Sequence, residues 1–376
     1  MALSGIRQLT APRSMRRIAI ALACTVASLS VSAQESWDSV VEAAREEGKV
    51  VVYSTTSRIT LAAEIFSELY GIEVEAHRLS ETEIIERTFQ ESRAGVNAVD
   101  ILLIEDIPSV LELLVNTGYL VNYVPPSAQA IPEQYQDPLV FAYLSRIIGY
   151  NTEAHAEEPI SSIWDLTTPE YSGRVMIRDL AITGEHQNAF TELVRRSDEL
   201  AADYERRFGE PLELTEANAG LEFMKRLVQN DLILMTSDTR ISEAVGARGQ
   251  ENPPVGLFYV FSHHRHAESK DLAIDAVREL GPMAGYYYGI YIQLSANPPH
   301  PNAAQLFADF LFTDEGFAPW GEDNAMGFYS MHPELVSSPD DMPWEWWEER
   351  IWGYDPVYAA QNRGVVLDAW LRFLSQ

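Results

Sequence analysis

Three short segments place hydroxyls, glycine or arginine where a loop runs into a helical pattern. They are Ser54 to Arg58, Thr183-Gly184 ahead of Glu185 to Arg195, and Ser237-Asp238-Thr239-Arg240. A helix start leaves backbone N–H groups without intrahelical partners and carries partial positive charge, and arginine adds a charged, bidentate contact. The chemistry on offer is therefore the holding of a small organic or phosphorylated anion, with Thr56, Ser57, Arg58, Thr183, Gly184 and Arg240 as the candidate contacts. The same residue types serve equally as ordinary helix caps. Glu105-Asp106, at the end of an apolar run, is a further polar candidate. Catalysis is not expected: the chain has no G-x-S-x-G, no G-x-G-x-x-G after a strand, no P-loop and no H-E-x-x-H.

The elements that must position these residues are legible in the hydrophobic pattern. Residues 37 to 47 are amphipathic and end at Gly48; Val50-Val51-Val52-Tyr53 reads as a buried strand. A helical pattern from Ile59 to Tyr70, a strand at Ile72 to Ala76, a helix from Glu81 to Arg93 and a strand at Val99 to Ile104 follow. This βαβαβ alternation predicts a mainly parallel sheet with helices on both faces, whose ligand crevice lies at the carboxyl ends of the strands. Four prolines between Leu120 and Pro138 mark an irregular connection, and a second α/β series runs from about Trp164 to Val260. A strand at Tyr286 to Leu294 precedes a helix from Asn302 to Phe312, and Trp344, Trp346, Trp347, Trp352 and Trp370 read as C-terminal helices packed on the core.

Composition narrows the function. The 376 residues carry 27 basic and 56 acidic side chains, a formal charge of −29, which disfavours nucleic acid as a partner. Residues 1–33 hold Arg7, Arg13, Arg16 and Arg17 with no acid, then an apolar stretch and Val31-Ser32-Ala33, the pattern of a cleaved secretory signal. The apolar run falls short of the ~20 residues a membrane span needs, so no membrane insertion is expected after cleavage. The mature chain would carry a net charge of −33 and no cysteine, since Cys24, an alternative lipid-attachment point, lies within the signal.

Several motifs occur in an order that resembles the periplasmic solute-binding proteins of ABC importers, in the branch that includes ferric-iron binders. These are Arg45-Glu46-Glu47-Gly48-Lys49-Val50-Val51-Val52-Tyr53-Ser54, Ala98-Val99-Asp100-Ile101, Gly149-Tyr150-Asn151-Thr152, Trp164-Asp165-Leu166-Thr167, Pro169 to Val175, and His300-Pro301-Asn302-Ala303-Ala304. The resemblance implies a two-lobed type II periplasmic binding fold, both lobes α/β, with the ligand in the cleft between them and hinge closure as the motion. It divides the chain into a signal at 1–33, the first part of lobe 1 at 34–148, lobe 2 at 149–283, and a return to lobe 1 with C-terminal helices at 284–376. The crossings would fall near Gly149-Tyr150 and between Gly281 and Gly289.

The resemblance also offers ferric iron as the transported ligand, held by tyrosinates, with Tyr150 matching a tyrosine at the first crossing. Where an adjacent tyrosine pair is expected the chain carries Phe261-Ser262, leaving Tyr259 nearby, Tyr287 or Tyr288 at the second crossing, and His263, His264 and His266 as further donors. Tyr150, Tyr259 and Tyr287 are the candidate metal ligands, and Tyr150, Tyr287 and Tyr288 the candidate contacts at the crossings for any solute. The expected partner of this monomeric periplasmic protein is an importer permease; a membrane sensor kinase is the alternative.

Overall fold

The computed structural model describes residues 37–321, 326–335 and 342–376; the signal segment and Cys24 lie outside them. Among the described residues no helix is long and apolar enough to cross a membrane.

The chain opens with α1 (37–47), β1 (Lys49–Ser54), α2 (Ile59–Tyr70), β2 (Glu73–Arg78), α3 (Glu81–Arg93), β3 (Ile101–Ile104), α4 (Ile107–Val110) and β4 (Leu120–Val121). β1 is buried along almost its whole length because helices cover both faces of the parallel sheet, and its VVVY run leaves no polar face. Gly71 ends α2 at φ +71°, a left-handed conformation that glycine adopts without strain. A reciprocal cap between Ser80 and Glu83 starts α3, which fixes where Glu81 projects.

The next strand, β5 (Val140–Asn151), leaves this lobe for a second one built from β6 (Val175–Arg178), α5 (Gly184–Arg195), α6 (Ser197–Phe208), α7 (Ala219–Gln229), β7 (Ile233–Met235), α8 (Asp238–Gly246), β8 (Val255–Val260) and β9 (Ile274–Ala276). The chain returns on β10 (Gly285–Ser295) and continues through α9 (Pro301–Phe310), α10 (Asp314–Phe317), β11 (Phe328–Ser330), α11 (Trp344–Glu348), β12 (Ile351–Trp352) and α12 (Pro356–Leu374). The strand order β2-β1-β3-β10-β5-β8-β6-β7 forms a continuous sheet through both lobes, with the antiparallel pair β5 and β10 at its centre. Two cores flank that pair: one gathers Val50, Phe66, Leu103 and Phe307, the other Trp164, Phe190, Phe223 and Trp370.

The handover between cores falls at Ile147 and Ile148 on β5, and between Tyr288 and Ile290 on β10. The last helix departs from the expectation of a simple return to lobe 1. α12 packs on α5 and α7 of lobe 2, burying Val366, Trp370 and Phe373 there, while also touching α4 of lobe 1. The chain thus passes between the lobes a third time, because the apolar face of α12 completes the second core.

The central pair is tight. A Cβ on Gly285 would lie 2.2 Å from the carbonyl oxygen of Arg146 on the neighbouring strand. Gly285→Ala must therefore push backbone apart, and is expected to lower unfolding stability by about 1–3 kcal/mol. Urea denaturation checks this; an unchanged midpoint would mean that the strand pair has slack.

Candidate functional site

Between the lobes lies a cavity of about 820 Å³. Lobe 1 lines it with Thr55 beyond β1, Glu81 in the first turn of α3, and Glu105 and Asp106 beyond β3; β5, the strand the lobes share, contributes Arg146, and lobe 2 contributes Arg178 at the end of β6 and Thr183, Gly184 and Glu185 at the start of α5. Arg363 reaches in from α12. Most of these positions follow the carboxyl ends of parallel strands, where the backbone turns outward and frees side chains for a ligand.

The arginines are held by carboxylates. Arg146, only 2 % exposed, donates from Nη1 to Asp238 Oδ1 at 2.9 Å and has Nη2 4.0 Å from Glu185 Oε2. Its guanidinium carbon lies 5.3 Å from the centroid of the Tyr288 ring. Arg178 donates to the other oxygen of Asp238 at 3.1 Å, so one aspartate serves two cations. Arg363 donates from Nη1 to both oxygens of Asp106, 3.0 Å each, and from Nη2 to Ser109 Oγ. Because the core of α12 is in lobe 2, this contact fastens one lobe to the other.

Three further carboxylates converge, with only the 4.0 Å approach of Arg146 to Glu185 beside them: Glu81, Glu105 and Glu185 each place an oxygen within 4.8 Å of the other two. Burial, then the charge of Glu185, pushes the Glu105 carboxyl up to about 7, against the opposing pull of Arg146. Burial and the charges of Glu185 and Glu105 raise that of Glu81 well above the usual carboxylate range. The Glu105 carboxylate also accepts from Thr55 Oγ1 at 3.1 Å. Several buried polar atoms in the cavity wall have no hydrogen-bond partner, among them Thr183 Oγ1, Arg146 Nε, Arg178 Nε and Glu81 Oε1. In a wall this polar, such atoms mark places where a ligand or water completes the bonding.

Of the residues singled out in the sequence, Thr183 and Gly184 line the cavity. On the first loop Thr55 does so, while Thr56 accepts from the Arg58 backbone N–H at 3.2 Å and Ser57 is exposed. The Arg58 guanidinium lies 5.5 Å from the Phe328 ring, and burial, then Arg265, brings its pKa down to about 10. Arg240 is exposed on α8; Asp238, two residues earlier, is the side chain turned inward.

The tyrosines do not come together. Tyr150 is buried in the core of lobe 2, Tyr259 is fully buried with its hydroxyl bonded to His264 Nε2, and Tyr287 packs against Tyr143 and Trp344. Tyr287 and Tyr288 line a smaller cavity of about 260 Å³ with Tyr143, Tyr291 and Tyr354. The candidate ligands are separate because they sit on three different strands, Tyr150 on β5, Tyr259 on β8 and Tyr287 on β10, each packed into its own surroundings. Arg146, Glu81, Glu185, Arg178 and Arg363 were not singled out in the sequence. The rule that marks Glu105, position after a strand, also reaches Arg178 and Glu81; nothing local marks Arg146 or Arg363.

No protein-family model and no curated protein matches the chain. Solved structures do. Iron-bound HitA from Pseudomonas aeruginosa superposes with a TM-score of 0.68 at 15% identity, covering 86% of this chain and 99% of that one. Apo ferric ion-binding protein A from Pasteurella haemolytica gives 0.67 at 17%, covering 87% and 98%. The periplasmic binding protein AfuA from Actinobacillus pleuropneumoniae, with fructose-6-phosphate bound, gives 0.63 at 18%, covering 87% and 99%. The chain has the two-lobed fold of these periplasmic binding proteins.

Proposed function

We propose that this chain is the periplasmic solute-binding component of an ABC importer, which closes its lobes on a small polar solute and presents it to a permease. The observation that carries the reading is the interlobe cavity, large enough for an organic solute and walled by polar side chains from both lobes. An anionic group of that solute has its natural seat at the start of α5, where free backbone N–H groups share the cavity wall with Arg178. Ferric iron as the cargo has less support, because Tyr150, Tyr259 and Tyr287 lie apart; a metal in this cleft would meet carboxylates.

The test is a thermal-shift screen of the mature protein with fructose-6-phosphate, inorganic phosphate and citrate, followed by calorimetry. At least one should raise the melting temperature saturably. Arg178→Ala should then weaken it by about 1.5–3 kcal/mol, the worth of a charged hydrogen bond in a closed site. Failure of every solute to shift the melt, with no compaction in small-angle scattering, would sink the reading.

A further inference from the structure

We propose that Glu81, Glu105 and Glu185 form a subsite for one hard divalent metal cation, gripped between the lobes. This rests on reading the cleft as the ligand site. The geometry suits an ion: oxygens bound at about 2.1–2.4 Å stand no farther apart than about twice that, and the three carboxylate oxygens lie within 4.8 Å of one another. All three donors are oxygens, and no histidine or cysteine lines the cavity among the described residues, which selects hard cations over zinc or copper.

Charge sets the valence. Asp106 is neutralised by Arg363, and Asp238 shares Arg146 and Arg178, leaving one surplus positive charge; Arg78 and Glu86 offset each other at the exposed rim. A bound cation displaces the protons that burial keeps on Glu81 and Glu105, and the three carboxylates then leave two negative charges, which a divalent ion balances.

A second observation points to an occupant independently of the carboxylates. The Thr183 side chain is 2 % exposed, lines the same cavity two residues before Glu185, and its hydroxyl has no hydrogen-bond partner. Glu81 and Glu105 belong to lobe 1 and Glu185 to lobe 2, so an ion here ties closure to its own binding. Without it, the closed cleft must keep protons on carboxyls that would otherwise repel one another.

The experiment uses the mature chain stripped with a chelator and titrated calorimetrically with Mn²⁺ and with Ca²⁺ at 0.15 M KCl. One equivalent of at least one ion should bind, and Glu105→Gln and Glu185→Gln should each weaken it tenfold or more, whereas Glu268→Gln, on the exposed surface, should not. Folding is monitored alongside at pH 8, where Glu105 is mostly ionised: metal-free Glu105→Gln should melt above metal-free wild type, because one repelling charge is gone, and added metal should raise the melt of wild type more than that of the variant. No binding at millimolar ion, or weak binding at many sites that the cleft substitutions leave unchanged, overturns the proposal. If metal-free protein still responds to a phosphorylated or carboxylated solute, the cation site alone has failed; if it responds to neither solute nor metal, the cleft reading fails with it.

Discussion

Replacing Arg146 by alanine should cost about 3–5 kcal/mol of unfolding free energy, the usual penalty for removing one partner of a buried ion pair. The side chain lies at the centre of the molecule, on the strand shared by the lobes, and its loss leaves Asp238 with Arg178 alone and Glu185 facing Glu81 and Glu105 uncompensated. The effect should show in urea denaturation and also in the cleft, since α5 and α8 are both oriented through this guanidinium. Charge imbalance, not lost volume, is the cause, so Arg146→Met combined with Asp238→Asn should be less damaging than Arg146→Ala. A single-variant loss below 1 kcal/mol, or a double variant worse than the single, would contradict that account.

Acid should destabilise the protein through its histidines. Burial takes the His264 ring from 6.5 down to about 3, and its Nε2 is hydrogen-bonded to the Tyr259 hydroxyl. The folded state keeps this ring neutral where the unfolded chain would protonate it, so stability present above pH 6.5 is lost progressively as pH falls from there toward 3. At pH 5 the loss from this one residue is about 2 kcal/mol. His186, buried against Tyr286 and lowered chiefly by burial, acts in the same direction. Carboxyls raised by burial, such as Asp100 and Glu105, act oppositely, so the informative quantity is the difference between wild type and His264→Gln. Unfolding free energies at pH 7.5 and 5.0 should show a smaller acid loss in the variant. Equal losses would remove His264 as a cause.

The alternation of strands and helices through lobe 1 was readable because its strands are continuous apolar runs and its helices carry ordinary stop signals, Gly48 and Gly71 among them. The cleft was readable only in part. Thr183 and Gly184 stand at a loop-to-helix junction, and sequence marks such junctions well. Arg146 is invisible because it sits within a strand whose other residues look like core, and only the pairing with β10 and the nearness of α8 turn it into an electrostatic centre. Arg363 depends on α12 crossing to lobe 2, a long-range packing outcome that no local pattern encodes. Residue type alone marks the tyrosines in the sequence, and nothing local encodes that Tyr150, Tyr259 and Tyr287 are buried in separate surroundings.

The central place of β10 in the sheet also bears on how the protein is made. β3 pairs on one edge with β1, and on the other with β10, so while the chain folds that second edge has no strand until Gly285 to Ser295 arrives. A first lobe that assembles before then exposes an apolar strand edge able to pair with a neighbouring chain. For a chain exported N-terminus first, that hazard falls on the far side of the membrane, and a holding chaperone there would be of most use before the second hinge strand emerges.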